Sequence, residues 1–426
     1  MSYSTRLLLG LTLLLPLITV PASAQKSPQP SDYQRFITAI DTGKIEAVQA
    51  EIDKGSDINA REKILGSRGV YNKVYGQTPL MHAASGSYPN PALELLLDNG
   101  AQVNARDDSG VTALMEAANF NRSGAVKLLL DRGAQVNARS NYGLTPLTIA
   151  AAPFIYLPVR KLAVVKLLLE GGAQVDGRDS NGRTPLALSA GRSYKPDIVA
   201  LLLDHGAEVN APDRNGVTPL MLAVHERGFP EIVKFLIEKG AQVDARSNNG
   251  STPLHRAAQA SIGNRYRSPL LCMTSIHPDF RRDIEEVRQR PLEMIQLLLD
   301  TGAQVDARDE DGNTPLIVAA KGTDRPEIIQ LLIEKGAEVN ARNNDGSTAL
   351  MVAARGADSG GNIPGVTIIK STRALLGGDI IELLLDKGAN PLAIDASGMK
   401  AIDHARNNKA LKDTPALKKL AELSGE

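Results

Sequence analysis

The 426-residue sequence has no tryptophan, a single cysteine and only 4% aromatic residues. One thiol, Cys272, cannot close a disulfide within the chain, so the fold must hold without covalent staples. So few rings imply a core built from Leu, Val, Ile and Ala. Net charge is missing too, because 48 basic residues face 48 acidic ones. No global field therefore invites nucleic acid or an anionic membrane surface. Beyond residues 1–24 no run is apolar enough to span a bilayer, which takes about 20 residues. No HExxH, P-loop, GxSxG or CxxC string occurs, so no catalysis, cofactor or metal is expected.

The reactive side chains that are present do not assemble by spacing. His225-Glu226-Arg227 lacks the second histidine of a zinc-protease helix, and Cys272 and His277 alone are a poor zinc signature. A redox or stress-protective role through Cys272 is the alternative function. It needs an exposed thiol of lowered pKa, for which Arg265, Arg267, Arg281 and Arg282 are candidates. Against it stands an inert thiol packed with Leu270, Leu271 and Met273.

Residues 1–24 have the order of a secretory signal peptide: Arg6, an apolar run from Leu7 to Val20, then Ala22-Ser23-Ala24. Cleavage after Ala24 is expected, leaving Gln25 as the mature N-terminus in a periplasm or outside the cell. Residues 25–31 read as a linker.

What fills the rest is repetition. Asn249-Gly250-Ser251-Thr252-Pro253-Leu254-His255-Arg256-Ala257-Ala258 has the form G-x-T-P-L-H-x-A-A. Its T-P-L recurs at Thr78, Thr145, Thr184, Thr218 and Thr314, and relaxes to T-A-L at Thr112 and Thr348. A second phrase answers each time, as in Leu297-Leu298-Leu299-Asp300-Thr301-Gly302-Ala303-Gln304-Val305-Asp306. The opening glycines at 76, 110, 143, 182, 216, 250, 312, 346 and 398 give a basic period near 34. A period of roughly 20–50 residues marks a stacked array. Linked phrases at this period resemble the ankyrin-repeat family over nearly the whole mature chain.

The resemblance implies an all-α repeat solenoid of helix-loop-helix units joined by β-turns or hairpins. About ten units are expected over residues 32–426, with capping units at 32–61 and 396–426. The residues of one unit agree. Thr218 is a natural N-cap, Pro219 suits the first helical position, Leu220 and Ala223 face inward, and Gly240 stops the second helix. Extra length falls at 62–75, 153–158, 259–290 and 356–378, where it either binds or is tolerated. Within the third of these, Phe280, Ile284 and Val287 have the spacing of an amphipathic helix after Pro278.

Two side-chain patterns bear on function. Arg61, Arg106, Arg139, Arg178, Arg246, Arg308 and Arg342 each precede a turn, either as local hydrogen-bond donors or as a basic stripe for an acidic partner. Aromatic residues avoid the framework, and Tyr142 at a turn tip is hardest to explain as filler. In the family it resembles, turn tips and first helices line a concave, partner-holding face, and His255 in the T-P-L-H slot ties adjacent turns. Carried onto this chain, the face comprises Asp108, Ser109, Val111, Phe120, Asn141, Tyr142, Leu144, Arg183, Arg214, Val217, Asn248 and Ser251. The implied function is a monomeric, non-catalytic scaffold for a protein partner.

Overall fold

The phrase T-P-L decides where helices begin. The threonine hydroxyl accepts the N–H three residues on at Thr78, Thr112, Thr145, Thr184, Thr218, Thr252, Thr314 and Thr348. One orphan donor of the first turn is thereby satisfied, and proline at the first helical position loses no bond. The leucine that follows points inward and is almost wholly buried in every copy. Each such burial stabilises by about 1.5–3 kcal/mol.

The computed structural model describes residues 31–61, 76–86, 90–152, 161–191, 196–225, 228–259, 279–322, 326–356 and 370–425. Among them are twenty α-helices, one short 3-10 turn and no strand. They pair into ten units. Units 1 to 5 are Asp32–Asp41 with Ile45–Asp53, Pro79–Ser85 with Pro91–Asp98, Ala113–Asn119 with Ser123–Asp131, Pro146–Ala151 with Leu162–Glu170, and Pro185–Ala190 with Asp197–Asp204. Units 6 to 10 are Pro219–His225 with Pro230–Glu238, Pro253–Gln259 with Asp279–Asp300, Pro315–Gly322 with Pro326–Glu334, Ala349–Arg355 with Lys370–Asp386, and Ala401–Asn407 with Pro415–Ser424. First helices touch in sequence from unit 1 to unit 10, and one apolar seam runs from Phe36 to Leu420. The segments expected as signal peptide, linker (bar Ser31) and insertions at 62–75 and 153–158 lie outside the described residues.

Between units the chain folds into a projecting finger, and successive fingers are laced together. At the tip, the N–H of Asn141 reaches the Ser109 carbonyl, Ser180 reaches Tyr142, Arg214 reaches Asn181, Asn248 reaches Asn215, and Glu310 reaches Asn249. A glycine closes each tip. At Gly216 φ is +74°, and an added Cβ would stand 2.7 Å from the Asn248 backbone nitrogen, so a side chain fails on both counts. Below the tip, each arginine of the column donates to the corresponding carbonyl of the next finger. Arg61 bonds Arg106, Arg106 bonds Arg139, Arg139 bonds Arg178, Arg178 bonds Pro212, Arg246 bonds Arg308, Arg308 bonds Arg342 and Arg342 bonds Ile394. The guanidinium groups are therefore spent on turn carbonyls, and the basic stripe is not needed to account for them.

A third column lies at the finger base. Asn104, Asn137, Asn210 and Asn340 each accept from a backbone N–H in the following unit and donate to the glycine carbonyl that ends its second helix. Pro212 interrupts the arginine column, yet that junction keeps the Asn210 clasp and two bonds from Asn248. The last finger drops both side-chain columns. Leu392 stands where Asn340 would recur and Ile394 where Arg342 would, and both are exposed.

Two insertions lengthen second helices. The segment after Pro278 is helical, as its spacing suggests, and it runs on into the second helix of unit 7, as Asp279–Asp300 with Pro291 inside it. Pro291 occupies the position that opens a second helix in other units. Here the helix extends three turns upstream of it, and the Arg290 guanidinium lies 4.3 Å from the Phe229 ring centroid, a cation–π contact. The Gly-rich stretch expected over 356–378 is helical from Lys370, through Gly377 and Gly378, to Asp386. At Gly378 a Cβ would meet the Ala416 Cβ at 3.5 Å, so the small residue admits the C-terminal helix closely.

Arg308 bonds two carbonyls, Gly312 in its own finger at 3.1 Å and Arg342 in the next at 2.6 Å. Arg308→Ala should lower unfolding free energy by about 1.5–3 kcal/mol, the range for hydrogen bonds to a charged group. Arg308→Lys should not restore it, because both bonds leave Nη1 of the guanidinium and the shorter lysine side chain ends short of that position. Urea titration followed by circular dichroism checks both, and a fully rescued lysine variant would count against the ladder.

Candidate interaction face

The finger tips place Tyr142 as the most exposed large apolar residue of the described chain, at 62%. Its backbone carbonyl is engaged by Ser180, so the ring is held out from a fixed base. The other predicted residues divide by what their side chains already do. The Asp108 carboxylate pairs with Arg61 at 3.0 Å, and Arg183 pairs with Asp179 at 2.9 Å. The amides of Asn141 and Asn248 donate to the carbonyls of Asp108 and Arg214, so they serve the lacing. Ser109, Val111, Leu144 and Ser251 are half-buried, and Arg214 is exposed.

Val217 is a correction. It is only 5% exposed, turned into the finger where its N–H meets the Asp213 carboxylate, and cannot present itself to a partner. Phe120 is exposed at 50% but caps the C-terminal end of its helix. The seven-residue helix separates it from the finger tips by about 10 Å, so it does not join Tyr142. Cys272, His277 and most of the other aromatic residues of the insertions lie outside the described residues.

His255 does what the T-P-L-H slot implies. Nδ1 accepts the Thr252 N–H at 3.2 Å, which leaves Nε2–H to donate to the Asn313 carbonyl of the next unit at 2.9 Å. Burial pushes its pKa down, so the neutral ring is the working form. It is a strut between units 7 and 8. Among the described residues no group of three or more His, Cys, Asp or Glu side chains is placed to hold a metal ion.

The residue missed from sequence is Glu116. It is the fourth residue of its helix, 8% exposed, and faces Asp107 at the base of its own finger. Asp107 uses one carboxylate oxygen on the N–H groups of Ser109 and Val111 at 2.8 and 2.7 Å. Its other oxygen is buried with no hydrogen-bond partner. Related aspartates are better served: Asp179 meets Arg183, Asp309 meets Asn313 and Asp395 meets His404. Burial raises both acids, and Glu116 reaches about 7, with only a 3.4 Å contact from Gln77 to oppose it. The missed signal was the variable pair in T-P-L-x-x-A, whose second member occupies this position.

Shallow surface grooves lie elsewhere, between second helices. One of about 440 Å³ is lined by Leu292, Leu331 and acids including Glu293 and Glu327. It lies open to solvent, and its polar lining is these carboxylates with the Gln296 and Gln330 amides.

Because Glu116 titrates higher in the folded state than its ordinary 4.5, folding favours its protonated form. That preference is met below pH 4.5 and turns into a growing penalty as pH rises towards 7. Glu116→Gln should therefore be more stable than the wild type at pH 8, by on the order of 1–3 kcal/mol, and nearly equal to it at pH 4. Chemical denaturation at the two pH values checks this, and a variant no more stable at pH 8 would contradict the assignment.

A family model described as ankyrin repeats (3 copies) matches residues 36–140, 87–159, 135–213, 158–247, 195–268 and 286–369 in overlapping windows. No curated protein matches the chain.

Proposed function

The chain belongs to the ankyrin-repeat family, whose repeats generally mediate protein–protein interaction, and from that premise we propose an exported scaffold without catalytic chemistry of its own. It holds a protein partner against the face formed by finger tips and first helices. The observation that carries this reading is Tyr142, a large ring left in solvent on a finger whose own backbone is laced to the next. Aromatic side chains of this kind dominate interface energetics, because they bury a large rigid surface at small entropic cost. The rest of the face supplies shape. Export is supported by the order of Arg6, the apolar run and Ala22-Ser23-Ala24. Among the described residues no helix is long and apolar enough to cross a membrane.

Export predicts a mature N-terminus at Gln25. Protein recovered from the exporting cell and sequenced from its N-terminus should begin there, and a chain still starting at Met1 would remove this part of the proposal.

The scaffold reading is tested with the partner recovered by crosslinking in the native compartment. Tyr142→Ala should weaken binding by about 2 kcal/mol, roughly thirtyfold, with little change in thermal midpoint. Phe120→Ala, at the far end of its helix, should matter much less. Equal affinity for Tyr142→Ala and wild type would move the site away from the finger tips.

A further inference from the structure

Four asparagines of the chain are followed directly by glycine: Asn99, Asn181, Asn215 and Asn249. In such a pair the glycine backbone nitrogen can attack the asparagine Cγ, because no Cβ on the glycine hinders its approach. What the neighbouring groups do to each asparagine separates the four. Asn99 ends a second helix, where its Nδ2 donates to the Leu95 carbonyl at 2.9 Å. At the finger tip of unit 7, the Asn249 Oδ1 accepts the Ser247 hydroxyl at 2.7 Å and the Ser251 N–H at 3.4 Å. Swinging either Cγ onto the next nitrogen breaks a bond that holds the side chain. Asn181 and Asn215, at the tips of units 5 and 6, are exposed, and among the described residues their amide side chains make no hydrogen bond.

The nucleophile separates these two. In all three tips the glycine N–H closes the turn on the carbonyl three residues back, at 2.8–3.0 Å, so that restraint is shared. Gly182 is buried, however, whereas Gly216 is half-buried, so the water that must take up the amide proton has readier access at the tip of unit 6. Asn215 alone combines an untethered side chain with an accessible glycine.

Asn215 is also placed where a change would be felt. Its carbonyl accepts the Asn248 N–H at 2.8 Å, lacing the fingers of units 6 and 7. This is the junction at which Pro212 removes the arginine rung, so each remaining bond there carries a larger share. Beside the tip bond stand the Asn248 Nδ2 bond to the Arg214 carbonyl at 3.0 Å and the Asn210 clasp. Both bonds from Asn248 end on the tip residues Arg214 and Asn215, so a change in the tip's backbone reaches both.

We propose that Asn215 is a site of spontaneous conversion to isoaspartate, and that the conversion unlaces the fingers of units 6 and 7. The Gly216 nitrogen gives up its proton to water and attacks Cγ, and the side-chain nitrogen departs as ammonia, taking a proton back. The resulting succinimide is then opened by a water molecule. Breaking the bond from the Gly216 nitrogen to Cγ gives aspartate, and breaking its bond to the main-chain carbonyl carbon gives isoaspartate. The net change is one water consumed and one ammonia released, with no oxidant or reductant. In the isoaspartate the chain runs through Cβ and Cγ, a methylene longer, and the old main-chain carbonyl becomes a free carboxylate. The acceptor of the Asn248 N–H is then no longer fixed in the turn, and that donor loses its place in the ladder. The reaction needs no partner, so it stands apart from the scaffold reading.

The test ages the purified chain in mildly alkaline buffer and follows the four asparagines by peptide mapping, with electron-transfer fragmentation separating isoaspartate from aspartate. In the folded chain Asn215 should convert several-fold faster than Asn99 and Asn249, with Asn181 between. In a urea-unfolded sample the four rates should converge, because the tethers that separate them are gone. Equal rates in the folded chain, or Asn249 ahead of Asn215, would overturn the site.

Hydrogen exchange over Asn248 reads the consequence. The aged chain should lose protection there relative to its own unaged sample. Asn215→Gln, whose longer side chain closes the larger ring far more slowly, should keep its protection through the same ageing. Unaged Asn215→Asp, which adds the charge without lengthening the backbone, should match the unaged wild type. Unchanged protection at Asn248 once isoaspartate has formed would overturn the unlacing, as would an equal loss in aged Asn215→Gln. Lost protection in unaged Asn215→Asp would assign the effect to charge and overturn the backbone route.

Discussion

A finger joining two helix pairs carries backbone N–H and C=O groups that its own unit cannot pair. A buried backbone group without a partner is costly, so each finger is completed by the one after it. Tip amides reach back to tip carbonyls, arginines reach forward to carbonyls, and base asparagines clasp the end of the next helix. The apolar seam between helices supplies most of the stabilisation, since burial is non-directional and large. The polar columns supply register. A stack slipped by one position would leave all three columns mismatched, so seam and columns agree only at the native alignment.

This division also explains why the chain manages with one cysteine. Stability in such an array is close to a sum over units and neighbouring interfaces, and ten units provide nine interfaces. Losses are correspondingly local. Pro212 removes one arginine rung, and its junction still holds through Asn210 and Asn248.

Much of this was legible in the residues. Thr218, Pro219, Leu220 and Gly240 act as cap, first helical residue, core residue and stop, because those are short-range matters of backbone geometry. His255 was legible as a strut through its family slot. The run from Asp279 to Asp300 was not, because Pro291 reads as a helix start and nothing local says that the helix continues through it. Val217 was misassigned because a turn residue's direction depends on which side of the finger packs. Glu116 was invisible for a related reason. Its meaning comes from Asp107 nine residues earlier and from helices in neighbouring units, whereas the search began from turn tips and aromatic rings.

An array whose trailing face is shaped to receive a leading face carries a hazard of its own. Head-to-tail contact between copies does not close on itself, and repeated it gives a fibre. The final finger withholds the parts such growth would need. Leu392 and Ile394 stand where the asparagine and arginine that reach forward would recur, so a second copy approaching end-on would meet two aliphatic side chains in their place. Beyond them the closing helix Pro415–Ser424 turns Lys418 outward, and Lys419 is paired back to Asp386 at 2.6 Å. At Leu392 and Ile394 the side-chain lacing that the earlier fingers carry forward therefore stops.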